Sequence, residues 1–141
     1  MMARGEIGPL LLKDAAALLV AGLPGVQAVY LFGSAARGRL RADSDADFAV
    51  LAAGTLDTVT VFETRLRLAA MLGRSVDLVD LRSASPVIAR QVLAAGRRLC
   101  APDSTAAARF EMVVPSLYDD LKATRAPVEA ALRRRILDAG R

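Results

Sequence analysis

The sequence predicts an α/β domain, a small twisted sheet with helices before, between and after its strands and a helical tail. Three observations carry that prediction. Short apolar runs rich in strand formers (VQAVYLF, DADFAVLA and VDLVDL) alternate with segments of helical periodicity. Glycine, or serine followed by proline, punctuates the boundaries. Apolar residues make up 54% of the 141-residue chain and charged residues 24%, a balance that supports a packed core and not a disordered chain.

In chain order, Leu10, Leu11, Ala15, Leu18 and Leu19 recur at helical spacing, and Gly22 followed by Pro24 stops that helix. Val26 to Phe32 reads as a strand that breaks at Gly33, and Asp45 to Ala52 as a second strand entered with its charges first. Between them, Gly33 to Ser44 is a turn containing arginine and glycine. Val59, Phe62, Leu66 and Ala69 mark one face of a helix that closes at Gly73. Val76 to Leu81 is a third strand. Ser85 before Pro86 is a helix start, with serine as N-cap and proline at the first helical position. Ile88, Val92 and Ala95 are its expected inner face, and Arg97 to Cys100 follow as a short edge strand. Phe110, Val113, Val114, Leu117 and Leu121 share a further stripe, in a helix that Pro115 should kink or split. A last helix is expected from Pro127 to Asp138, with Val128, Leu132 and Ile136 on one side. The reading is one domain over residues 1–141, an α/β core to about residue 102 and a helical tail after it.

Composition excludes several chemistries. The chain has no histidine, which removes imidazole-ligated zinc, a Ser-His-Asp triad and any nuclease that needs a catalytic histidine. General-base work falls first to aspartate or glutamate. The single cysteine, Cys100, cannot form an internal disulfide and reads as a small buried apolar residue. The net charge of +4 permits a polyanion partner, but the arginines form no long block, and Arg133, Arg134 and Arg135 read as a wet helix surface. Two tyrosines, four phenylalanines and no tryptophan supply no base-stacking platform, which argues against nucleic acid. Glu6, Lys13 and Asp14 interrupt the apolar N-terminal run, so it reads as a soluble amphipathic helix and not a signal peptide. No apolar stretch reaches the roughly 20 residues that span a bilayer. The expected compartment is the cytoplasm.

One constellation carries chemistry. Gly33 and Ser34 close the first strand, and Asp45-Ala46-Asp47 opens the second after ten intervening residues. Strand residues i and i+2 project to one face, so Asp45 and Asp47 point the same way. Carboxylates brought together repel unless a cation sits between them, and hard oxygen ligands suit Mg²⁺. A glycine-serine turn into a helix offers backbone N–H groups and a hydroxyl to phosphate oxygens. Asp77 interrupts an otherwise apolar strand at an inner position, where a buried charge needs a metal or a hydrogen-bonded partner. Asp80 lies on the opposite face by strict alternation, at the strand exit, where a solvated turn residue is expected.

The segment LFGSAARGRLRADSDADFAVL resembles the signature of the DNA-polymerase-β-like nucleotidyltransferases, and specifically of the minimal nucleotidyltransferases with their G-S-x10-D-x-D motif. VDLVDL is similar to that family's third-carboxylate strand, and FEMVVPSLYDDLKATRAPVEAALRRRI to its C-terminal helices. The resemblance implies the mixed sheet of the nucleotidyltransferase fold. It implies that Gly33 and Ser34 hold the β- and γ-phosphates of ATP, that Arg37 and Arg39 add charge against the triphosphate, and that Asp45, Asp47 and Asp77 bind two Mg²⁺ ions. It also implies a partner, because minimal nucleotidyltransferases are commonly antitoxins paired with a small helical HEPN ribonuclease toxin, to whose tyrosine hydroxyl AMP is transferred. Two alternatives stand beside this reading: an antitoxin that neutralises by contact alone, and transfer to a small-molecule hydroxyl such as that of an aminoglycoside.

Overall fold

The computed structural model describes residues 6–33 and 45–139, with backbone alone at 122, 124–130 and 137–139. The elements run α1 (Pro9–Gly22), β1 (Val26–Phe32), β2 (Ala46–Ala52), α2 (Thr58–Leu72), β3 (Val76–Asp80), α3 (Pro86–Ala95), β4 (Arg97–Cys100) and α4 (Ser104–Ala139). Local chemistry sets most of the boundaries. Pro9 and Pro86 open α1 and α3 in the first turn, where no backbone N–H is needed. The Ser85 side chain accepts a hydrogen bond from the Ile88 amide at 3.3 Å, and Asp57 caps α2 by accepting from the Thr60 amide at 3.1 Å. Gly73 closes α2 in the left-handed conformation, at φ 66°.

The four strands form one mixed sheet in the order β3-β2-β1-β4. β1 pairs antiparallel with both β2 and β4, whereas β2 and β3 run parallel. The sheet is covered on both faces. On the first face Val29, Leu31, Phe48 and Val50 pack against Leu12, Ala16 and Leu19 of α1 and Leu68 of α2. On the second face Ala28, Tyr30, Ala49 and Leu51 meet Ala89 and Val92 of α3 and Ala107 and Val114 of α4. Burial on both sides explains why VQAVYLF and ADFAVLA read as near-continuous apolar runs without simple alternation. Arg82 ties the second face together: its guanidinium donates to the Gln27 side chain at 2.7 Å and lies 5.8 Å from the Phe110 ring centroid.

The structure corrects several helix faces. Val59, Phe62 and Leu66 are exposed, Phe62 by 50%, and α2 turns Val61, Thr64, Leu68 and Leu72 inward instead. The expected stripe skipped Thr64 because it is polar. Its hydroxyl, however, donates to the Thr60 carbonyl at 2.7 Å, so only its methyl group needs apolar company. Ile88 and Ala95 are likewise exposed, and α3 packs through Ala89 and Val92. Leu10 is exposed and Leu12 buried in its place. In α4 Val114 is buried and Phe110 is packed against the second cluster, while Val113 and Leu117 face solvent.

The expected break at Pro115 is absent, and α4 continues as one helix from Ser104 to Ala139, taking in the separate helix expected from Pro127. An interior proline removes one backbone hydrogen bond and crowds the preceding turn. Here that site sits beside Val114, which is 2% exposed against the sheet, and this packing favours a helix that continues through it. Among the described residues no helix is long and apolar enough to cross a membrane.

Phe48 follows Asp47 and is the largest fully buried side chain among the described residues. Phe48→Ala is expected to lower the unfolding free energy by about 3–5 kcal/mol in a urea titration, the range for an aromatic side chain removed from a packed core.

Candidate active site

The carboxylates gather where β2 and β3 begin. The parallel register pairs Asp47 with Asp77, and on the other side of β2 Asp47 is paired with Phe32, the last residue of β1. Neighbouring strands lie about 4.8 Å apart, and registered partners share a face, so these two side chains stand alongside each other. Phe48 and Val50 point to the first face; alternation therefore sends Asp47 to the second, shared with Val79, α3 and α4. Asp45 precedes the first strand residue and is exposed. The Ala46 amide donates to the Ser75 carbonyl at 2.9 Å, which pins the entry of β2 against β3.

The electrostatics follow from this placement. Asp47 is partly buried, and its pKa is raised, first by burial and then by the negative charges of Asp77 and Asp45. Asp77 is exposed, which corrects the expectation of an inner, buried position. It sits near the start of β3, on the outer strand of the sheet, where solvent reaches it. Asp80 is the last residue of β3, at the strand exit as expected, and its carboxylate serves the turn that follows: it accepts from the Arg82 amide at 3.2 Å and from the Ser83 hydroxyl at 2.9 Å.

Gly33 follows β1 with φ +68°, a conformation that a side chain strains, and an added Cβ would strike the Asp47 carboxyl. The glycine therefore lets the chain turn directly over the acidic pair. Ser34, Arg37 and Arg39 lie outside the described residues. Among the described residues no three histidine, cysteine or acidic side chains converge tightly enough to close a metal cage. The donor set still fits a hard divalent cation, which takes one or two carboxylates and completes its shell with water and phosphate. Mutual repulsion at Asp47 is what such a cation relieves.

Sequence reasoning missed a second polar group on the same face. The Tyr30 hydroxyl donates to Glu111 Oε1 at 2.7 Å, and Arg98 lies 3.5 Å from the same oxygen. Burial, and then that hydrogen bond, push the Tyr30 phenol far above its ordinary pKa. These three side chains, with Arg90 and Leu93, line a cavity of about 550 Å³ between α3, β4 and α4. Nothing local in the sequence links a strand tyrosine to a glutamate eighty-one residues later.

A sheet that sets paired aspartates beside a glycine turn, in this strand order, defines a nucleotidyltransferase. Residues 18–105 match the polymerase β nucleotidyltransferase family, and the chain belongs to it. Protein adenylyltransferase MntA of Shewanella oneidensis is 43% identical over 108 residues, 77% of each chain. A chain in the crystal structure of a toxin–antitoxin with AMP-PNP is 38% identical, with a TM-score of 0.78 over 86% of this chain and 98% of that one. A chain in the structure of the tri-AMPylated Shewanella oneidensis HEPN toxin in complex with its MNT antitoxin is 36% identical, with a TM-score of 0.75 over 88% and 97%.

Two outcomes test this geometry. With its folded pKa raised, Asp47 contributes to stability when protonated. That contribution is lost as pH rises from the ordinary aspartate range through the raised value. Asp47→Asn is therefore expected to melt at a higher temperature than the parent at pH 7 without metal, and the gain should fade at pH values below the ordinary aspartate range. Gly33→Ala is expected to cost about 1–2 kcal/mol in chemical denaturation from its left-handed backbone alone, with the crowded Asp47 carboxyl adding to the loss.

Proposed function

We propose that this chain is a Mg²⁺-dependent protein adenylyltransferase that moves AMP from ATP to a tyrosine hydroxyl of a HEPN-type toxin, and so acts as its antitoxin. The reading rests chiefly on the Asp47–Asp77 register beside Gly33, in a chain whose 43%-identical relative is named a protein adenylyltransferase. The relative complex holding a tri-AMPylated HEPN toxin supports the acceptor, and the one with AMP-PNP supports an adenine nucleotide as donor. Work on a nucleotide pool and a ribonuclease partner would place it in the cytoplasm.

In this reading Asp45 and Asp47 would hold the metal, and Asp77 would complete the site from β3 and take the proton of the attacking hydroxyl. Two Mg²⁺ ions bound there would supply charge neutralisation for the attacking and leaving oxygens. Gly33 leaves room for the β- and γ-phosphates, which Ser34 would bind, while Arg37 and Arg39 would offset triphosphate charge. The acceptor oxygen attacks the α-phosphorus in line, and pyrophosphate leaves. Most of the rate enhancement then comes from position and charge rather than from a covalent intermediate on the chain.

Incubation of the purified chain with MgATP and its HEPN partner should add AMP-sized mass units to a partner tyrosine. Asp45→Ala/Asp47→Ala should reduce that transfer by at least about a hundredfold, and chelation of divalent cations should stop it. If the double variant neutralises the toxin as well as the parent, transfer is not how the chain acts, and contact alone explains neutralisation.

A further inference from the structure

The edge of the sheet away from the acidic site has its own chemistry. β4 pairs with β1 on one side only, and among the described residues no strand lies beyond it. An open edge presents unpaired backbone N–H and C=O groups, a template for another extended chain. Beside that edge, α1 and β4 enclose a groove of about 740 Å³. Its helical wall carries small side chains, Ala16, Ala17 and Ala21, with Leu12 and Val20. Leu99 of β4 packs toward the same face of the sheet. The groove thus combines a strand edge for backbone pairing with apolar room for every second side chain of an added strand.

Charge selects the occupant. Lys13 on α1 and Arg97 on β4 line the groove, both are exposed, and no acidic residue lines it. Arg98 also lines the groove, while its guanidinium lies 3.5 Å from Glu111 on the other face. A second copy of this chain, pairing β4 with β4, would bring Arg97 and its neighbours against themselves, a like-charge cost. An extended segment that alternates apolar with acidic residues meets both demands.

We propose that the α1–β4 groove is a docking site for an extended acidic–apolar segment of a partner protein, which adds a fifth strand to the sheet beside β4. It stands two strands away from β2 and its Asp47, so docking leaves the acidic site uncovered. The proposal does not depend on adenylyl transfer, and the transfer assay can fail without affecting it.

The test is titration of the ¹⁵N-labelled full chain with the peptide acetyl-Glu-Val-Glu-Val-Glu-Val-Glu-amide, and separately with its lysine-for-glutamate counterpart. The acidic peptide is expected to shift the amides of Leu99 and Cys100 and those of Ala16 and Ala17, and to slow hydrogen exchange along β4. Lys13→Glu/Arg97→Glu is expected to weaken binding about tenfold, and this double variant should bind the lysine peptide instead. Because both positions are surface residues, an unchanged melting temperature will separate lost binding from lost fold. Ala17→Phe, which fills the groove without changing charge, should also block the acidic peptide. No shift at β4 with millimolar acidic peptide, equal binding by the double variant, or peptide-independent dimerisation through β4 would each overturn the proposal.

Discussion

The fold places two like charges side by side and holds them there. Asp47 and Asp77 are partners in the parallel register of β2 and β3, on the same face of the sheet. A sheet cannot slide to relieve that repulsion, because a one-residue slip would carry Phe48 and Val50 out of the interior. The core therefore fixes the strained pair. The pKa of Asp47 is raised first by its burial and then by the neighbouring charges of Asp77 and Asp45.

The other parts of the chain serve this arrangement. α1 and α2 cover the face opposite the aspartates and hold β2 from behind, through Leu12, Leu19 and Leu68. α3 and the first part of α4 cover the second face next to the site. Gly33 turns over Asp47 because it has no side chain to put there. Tyr30 and Glu111 fasten β1 to α4 on the same side, and this bond keeps the long helix seated near the acidic pair. Beyond that contact, α4 exposes Leu132 and Ile136.

Much of this was legible in the residues. VQAVYLF and RRLC became strands over the expected residues, and Ser85, Pro86 and Gly73 ended helices where their chemistry demands. Asp80 stands at the exit of β3 as expected, and the G-S-x10-D-x-D spacing pointed to the family to which the chain belongs. The helix faces were less legible. Two apolar stripes compete on α2, and the one that loses contains Phe62, while the winning stripe contains a threonine that satisfies its own hydroxyl. Pro115 failed to break α4 because its local penalty met tertiary packing at Val114.

The linear sequence determined the kinds of element, most of their ends, and the exclusion of imidazole chemistry by the absence of histidine. These are properties of neighbours along the chain: periodicity, capping and composition. Only the tertiary structure decided that residue 77 lies beside residue 47 and in solvent, which stripe of each helix turns inward, and that Tyr30 meets Glu111. Periodicity defines a face without saying what it meets. That answer comes from strand pairing and packing between residues thirty to eighty positions apart, which no local window contains.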